Sequence, residues 1–151
     1  MKKVLFVCHG NICRSPMAEF MFKALVKEKG VEDEFEIASA ATSREEIGNP
    51  VYRPARRELA RHGIDPTGKT ARQMTREDLD YYDEIVCMDG NNLRNIERMF
   101  GEDGKRKVKK LMSFAGIDAD VADPWYTGDF ERTYRDVLLG IEGLYSYFSK
   151  L

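Results

Sequence analysis

The first thirty residues constrain the chain most. Lys3 to Val7 is a short apolar, β-branched run suited to a buried strand, and Ser15-Pro16 opens an apolar-periodic stretch that runs to Lys29 and stops at Gly30. A strand joined through one tight loop to a helix buries both apolar faces most simply as part of a βαβ unit, with parallel strands and a right-handed crossover. The rest of the chain repeats the alternation. Glu34 to Ala38 and Asp83 to Met88 read as strands, with Val108 to Phe114 a weaker fourth. Pro54 to Arg61, stopped by Gly63, Asn91 to Phe100, ended by Gly101, and Asp129 to Ser149 read as helices. Gly101 to Lys110 reads as a polar, mobile connection. The expected class is α/β, a twisted parallel sheet with helices on both faces.

A length of 151 residues with 42% hydrophobic content can bury one core without disulfides or a structural metal, so one domain over 1–151 is expected. A formal charge of -2 leaves no basic excess, which disfavours a general nucleic-acid or membrane-surface binder. Met1-Lys2-Lys3 precedes an apolar run too short for a signal segment or a bilayer span, which predicts a cytoplasmic chain. Three cysteines are an odd number for a disulfide framework and read as free thiols.

In open parallel sheets ligands bind beyond the carboxyl ends of the strands, which directs attention to the loop after the first strand. There Cys8-His9-Gly10-Asn11-Ile12-Cys13-Arg14-Ser15-Pro16 places a cysteine at a strand end and an arginine at a helix start. A five-residue loop closing onto a helix N-terminus turns its N–H groups inward as an anion nest, and the helix dipole adds positive potential. A tetrahedral dianion fits there. Arg14 can grip two of its oxygens with a planar fork, and the same field favours a thiolate at Cys8. Ser15 can donate its hydroxyl to that thiolate, Gly10 permits an unusual backbone angle, and Asn11, also tolerant of left-handed angles, can pin the loop through its side chain. Alone, a cysteine-to-arginine spacing is common by chance; the strand before and the helix after give it meaning.

With these residues the segment resembles the signature of the low-molecular-weight protein tyrosine phosphatase family, and Asp123-Pro124-Trp125-Tyr126 resembles that family's general-acid loop. The resemblance spans nearly the whole chain. It implies a four-stranded parallel sheet, hydrolysis of phosphotyrosine in a protein or of a small aryl phosphate, and a phosphocysteine intermediate formed without metal or other cofactor. It also implies that the loop from His9 to Cys13 cradles the phosphate, that His62 bonds Asn11 and stiffens the loop with His9 pointing outward, and that Asp89 and Asn92 support the site. Members acting on phosphoarginine carry threonine where Ile12 stands, so phosphotyrosine is the expected substrate. The sequence departs from the pattern at Ala41 and at Glu45, where animal members often place an aromatic.

A tyrosine leaving group has a pKa of about 10 and departs poorly unless protonated, so an acid is required; Asp123, restricted to extended angles by Pro124, suits that task. Trp125 and Tyr126 beside it are expected to wall the pocket and select long aryl phosphates. Two rivals come from the same residues. Gly63-Ile64-Asp65-Pro66-Thr67-Gly68-Lys69-Thr70 satisfies the Walker A pattern, yet it follows a helical stretch and Pro66 removes an N–H from the nest. An arsenate-reducing disulfide relay needs a close downstream cysteine pair, and only Cys87 is present. No metal, nucleic acid or membrane partner is expected, and the chain is expected to be a monomer or weak dimer.

Overall fold

A computed structural model describes residues 1–151. Its sheet has four strands, β1 (Lys2–Cys8), β2 (Phe35–Ala41), β3 (Glu84–Cys87) and β4 (Val108–Lys110), in the order β2-β1-β3-β4. Every pairing is parallel, with Val4 registered between Ile37 and Glu84. The connecting helices are α1 (Arg14–Glu28), α2 (Arg53–Ala60), α3 (Arg76–Tyr81), α4 (Gly90–Lys107), α5 (Pro124–Thr127) and α6 (Phe130–Ser149).

The period-2 rule explains why both faces of β1 are apolar. Val4, Phe6 and Cys8 join a core with residues of α1, α2 and α6, whereas Leu5 and Val7 join a second core with Leu79 of α3 and Ile96 of α4. Edge-to-face contacts link Phe6 to Phe22, Phe22 to Phe35 and Phe35 to Phe148, which ties the strands to α1 and α6. Phe6 and Phe22 are fully buried, worth about 1.5–3 kcal/mol each in transfer terms. The chain leaves central β1 for β2 on one side and later for β3 on the other, so the order reverses where Cys8 ends its strand.

Several expected elements differ. The fourth strand stops at Lys110, and Leu111–Ala115 coils into a 3-10 turn that buries Leu111 and Met112. The connection from Gly101 is helical as far as Lys107: Gly101 takes φ 67° and ψ -147°, and one more turn of α4 follows it. Gly104 permits that turn, since a Cβ there would lie 2.9 Å from the Ile96 carbonyl oxygen. Strand β2 extends three residues beyond Ala38, to Ala41. Helix α3, which the sequence reading omits, starts in a Thr75/Asp78 capping box.

Candidate active site

Cys8 closes β1, and the loop after it bends because Asn11 adopts φ 61°, a left-handed angle tolerated by asparagine. Of the two loop residues suited to such an angle, Asn11 takes it and Gly10 does not. A Cβ at Gly10 would make only an ordinary contact with the Glu46 side chain, at 3.4 Å. The Asn11 N–H points at Cys8 Sγ across 3.3 Å, and Ser15 Oγ lies 3.0 Å from the same sulfur. Both donors suit an anionic sulfur.

Asn11 and Ser15 are almost fully buried behind the sulfur, so their side chains shape the loop and do not line the cavity. Asn11 Nδ2 donates to Ser15 Oγ at 2.8 Å and to Ser39 Oγ at 2.9 Å, while its Oδ1 accepts the Arg72 N–H at 3.2 Å. Ser39 in turn donates to Glu19. Lys23 meets Glu19 at 2.6 Å, and Lys69 donates to the Ser39 carbonyl at 2.8 Å. Burial holds the Lys69 ammonium below the ordinary lysine range, against the opposing pull of Glu19. The lysine of the Walker-like run is therefore spent inside the protein, and no strand precedes that run.

This support replaces the one expected from His62. His62 Nε2 sits 3.2 Å from Glu58 Oε2 and its ring stacks on Tyr134 at 3.7 Å, so it joins α2 to α6 and makes no bond to Asn11. Sequence reading missed Ser39, Glu19 and Lys69. A signal was present in Glu19, a carboxylate on the face of α1 that also carries Phe22 and Val26, where a buried charge requires partners.

Arg14 opens α1 with its side chain 4% exposed. Nη1 donates to Asp89 Oδ2 at 2.8 Å and to the Val121 carbonyl at 3.0 Å, and Nη2 lies 3.5 Å from Asp123 Oδ2. Burial opposes the guanidinium charge, but Cys8, Asp89 and Asp123 more than offset it and hold Arg14 above its ordinary value. Asp89 caps α4: its Oδ1 accepts the Asn92 N–H at 2.8 Å, while Asn92 Oδ1 accepts from the Met88 and Asp89 N–H groups. One carboxylate thus caps a helix and anchors Arg14.

A cavity of about 280 Å³ gathers the loop residues Cys8, His9, Gly10, Ile12, Cys13 and Arg14. Glu45 and Glu46 from the segment after β2, and Asp123, Trp125 and Tyr126, complete its wall. The sulfur residue is 4% exposed at the floor, whereas Trp125 and Tyr126 are 56% and 86% exposed at the rim, so the cavity is deep with an aromatic mouth. Asp123 caps α5 through Oδ1, which accepts the Trp125 N–H at 3.0 Å, leaving Oδ2 toward Arg14. Trp125 packs against Tyr52 with ring centroids 5.0 Å apart, a contact that no local sequence pattern indicates. His9 turns outward to Glu45 at 3.1 Å. Burial, with Cys8 and Asp123 adding, pushes the Cys13 thiol far up and leaves it a thiol. Cys87 is fully buried with its thiol raised to about 12, and no second cysteine accompanies it for a relay. No helix is long and apolar enough to cross a membrane.

Comparison with known proteins fits this geometry. The model of the low molecular weight phosphotyrosine protein phosphatase family matches residues 3–150. The low molecular weight protein-tyrosine-phosphatase YfkJ of Bacillus subtilis is 40% identical over 99% of this chain and 97% of its own, and its crystal structure superposes with TM-score 0.95. The Homo sapiens low molecular weight phosphotyrosine protein phosphatase is 42% identical over 89% of this chain and 87% of its own. The YwlE arginine phosphatase, in a mutant with a phosphorylated active site serine, superposes with TM-score 0.86 at 26% identity, covering 98% of this chain and 96% of that one.

Proposed function

The chain belongs to the low molecular weight phosphotyrosine protein phosphatase family, and from that premise we propose that it hydrolyses phosphotyrosine through a phosphocysteine on Cys8. The observation that carries the reading is the meeting of Cys8, of Arg14 from the helix its loop opens, and of Asp123 from a distant segment in one cavity. The phosphorylated active-site serine of the YwlE mutant supports a covalent route on this fold.

The steps follow from the groups present. The phosphate enters past Trp125 and Tyr126 with the aryl ring against Ile12, and its equatorial oxygens meet the loop N–H groups and the free edge of Arg14. The dianion competes with Asp123 for Nη2, and Asp123 enters the reaction in its acid form, carrying the proton that the ring oxygen needs. Cys8 Sγ attacks phosphorus, the P–O bond to the ring breaks, and Asp123 delivers that proton to the departing phenoxide. Arg14, fixed by Asp89 and Val121, stabilises the equatorial charge. Water then attacks the phosphocysteine with Asp123 as base, and Ser15 donates toward the leaving thiolate.

Ile12, not threonine, at the cavity wall supports an aromatic ester over phosphoarginine. The depth of Cys8 argues against phosphoserine, whose short side chain would leave its backbone in collision with the rim. We further propose that residues 1–151 act as one domain, as a monomer or weak dimer in the cytoplasm. The test is steady-state hydrolysis of matched phosphotyrosine, phosphoserine and phosphoarginine peptides with a chelator present. The highest kcat/KM should belong to phosphotyrosine and vanish in Cys8→Ser. A preference for phosphoarginine would overturn the substrate assignment, and turnover by Cys8→Ser would overturn the nucleophile.

A further inference from the structure

Helix α2 begins against two residues of the cavity wall, Ile12 and Trp125. Tyr52, its N-cap, donates its N–H to the Ile12 carbonyl at 2.8 Å and packs on Trp125. Directly after it come Arg53, Arg56 and Arg57, three exposed arginines at i, i+3 and i+4 along the helix. None has an ion-pair or side-chain hydrogen-bond partner, whereas Arg14, Arg61, Arg72, Arg76, Arg106 and Arg135 each hold a carboxylate and Arg94 and Arg98 each hold an asparagine. Arg44 and Arg132 also lack a partner, but each stands alone, with no second unpartnered arginine within four residues of it. The first turn of α2 also lacks any acidic residue. Arg53 and Arg56 stand at the positive end of the helix dipole, which opposes them, whereas Arg57 lies in the last turn, where a cation is favoured; the first two form a local conflict that a bound anion would relieve.

We propose that this face of α2 docks an acidic segment of the phosphoprotein substrate, its carboxylates flanking the phosphotyrosine on one side. The inference rests on the phosphotyrosine reading above and adds a direction to it. Arg57 also lines an open groove of about 350 Å³ between α2 and the start of α6. The acidic groups of that groove are committed elsewhere: Glu58 to Arg61 and His62, Asp129 to the Arg132 N–H, and Glu131 to Arg135. Carboxylates on a peptide leaving the cavity over Tyr52 would meet uncompensated positive charge. The segment against His9 and Gly10 carries Glu45 and Glu46 instead, so acidic residues leaving on that side meet like charge. Those two glutamates, with the overall charge of -2, favour a peptide over a flat anionic membrane, which would meet both signs at once.

The test uses phosphotyrosyl peptides of one length carrying glutamates N-terminal to the phosphotyrosine, glutamates C-terminal to it, or glutamines throughout. One of the two acidic peptides should exceed the glutamine peptide in kcat/KM by about tenfold at low salt, the product of three exposed pairs worth roughly two- to threefold each. The advantage should fall below about twofold in Arg53→Gln/Arg56→Gln/Arg57→Gln and at high ionic strength. The single variant Arg57→Glu should weaken it as well, whether or not the triple variant folds. Equal rates on all three peptides, or an advantage that survives these substitutions, would overturn the docking surface alone. Failure to hydrolyse any of the peptides would overturn the phosphotyrosine reading and the docking with it. Arginine-dependent binding to phosphatidylserine vesicles without a peptide preference would assign the face to lipid and overturn the proposal.

Discussion

Replacing Asp89 separates two duties that one carboxylate performs. Asp89→Ala removes the Oδ1 cap of α4, worth about 1 kcal/mol, and the Oδ2 partner of a guanidinium that is 4% exposed. Removing one member of a buried ion pair costs about 3–5 kcal/mol, but Val121 and Asp123 still hold Arg14, so a total near 3 kcal/mol is expected. For a chain of this length that lowers Tm by roughly 6–12 °C. Asp89→Asn keeps an oxygen for the Asn92 N–H and should recover only the cap, about 1 kcal/mol. Inorganic phosphate, by supplying negative charge to Arg14, should raise Tm more in Asp89→Ala than in the wild type. Thermal unfolding followed by circular dichroism, with and without phosphate, reads all three. A loss under 2 °C, or equal gains from phosphate in both proteins, would refute the claim that Asp89 is the charge anchor of Arg14.

Asp123→Asn keeps the shape of the acid loop and should slow hydrolysis of a tyrosine phosphate about 10²–10⁴-fold, with a much smaller loss on an activated nitrophenyl phosphate. Rapid-mixing kinetics should give a steeper dependence on leaving-group pKa than in the wild type, and equal slopes would remove Asp123 as the acid. Gly143→Ala should destabilise the protein by more than about 2 kcal/mol, because its Cβ would stand 2.3 Å from the Phe114 carbonyl oxygen, and an unchanged Tm would refute that packing. Asp78 is buried, yet its hydrogen bonds from Arg72 and Thr75 outweigh desolvation and hold its carboxyl below the usual range. Its stabilisation is present above the unfolded carboxylate pKa of about 4 and is lost as pH falls through the lower folded value. Asp78→Asn should therefore flatten the acid limb of a stability profile, which denaturant melts between pH 2 and 7 would show.

What could be read from the sequence was local. The strand, loop and helix from Lys3 to Lys29 lie in one window, so Cys8 and Arg14 were legible from spacing and turn chemistry, and Asp123 from its proline and the family resemblance. Features set by distant packing were not. Val108 to Phe114 has strand composition throughout, but Leu111 turns inward where Gly140 of α6 leaves room for it. Gly101 does break helical geometry, and the helix resumes only because Gly104 admits close contact with Ile96. For His62 the sequence held the true partner four residues back in Glu58, a helical i, i+4 pair, while the resemblance pointed to Asn11. The Thr75 box opens a helix of six residues, too short for periodicity to register. Lys69 looked like a phosphate ligand by motif, and only the fold shows it serving Ser39 and Glu19.

The central claim is a covalent bond between phosphorus and Cys8. Mixing the protein with an aryl phosphate, quenching within the first turnover and mapping the peptides by mass spectrometry tests it directly. The account predicts a phosphoryl group on the peptide that contains Cys8, carried by sulfur and absent from unreacted protein. Release of the phenol with no phosphorylated peptide, or with the phosphoryl group on another residue, would contradict it.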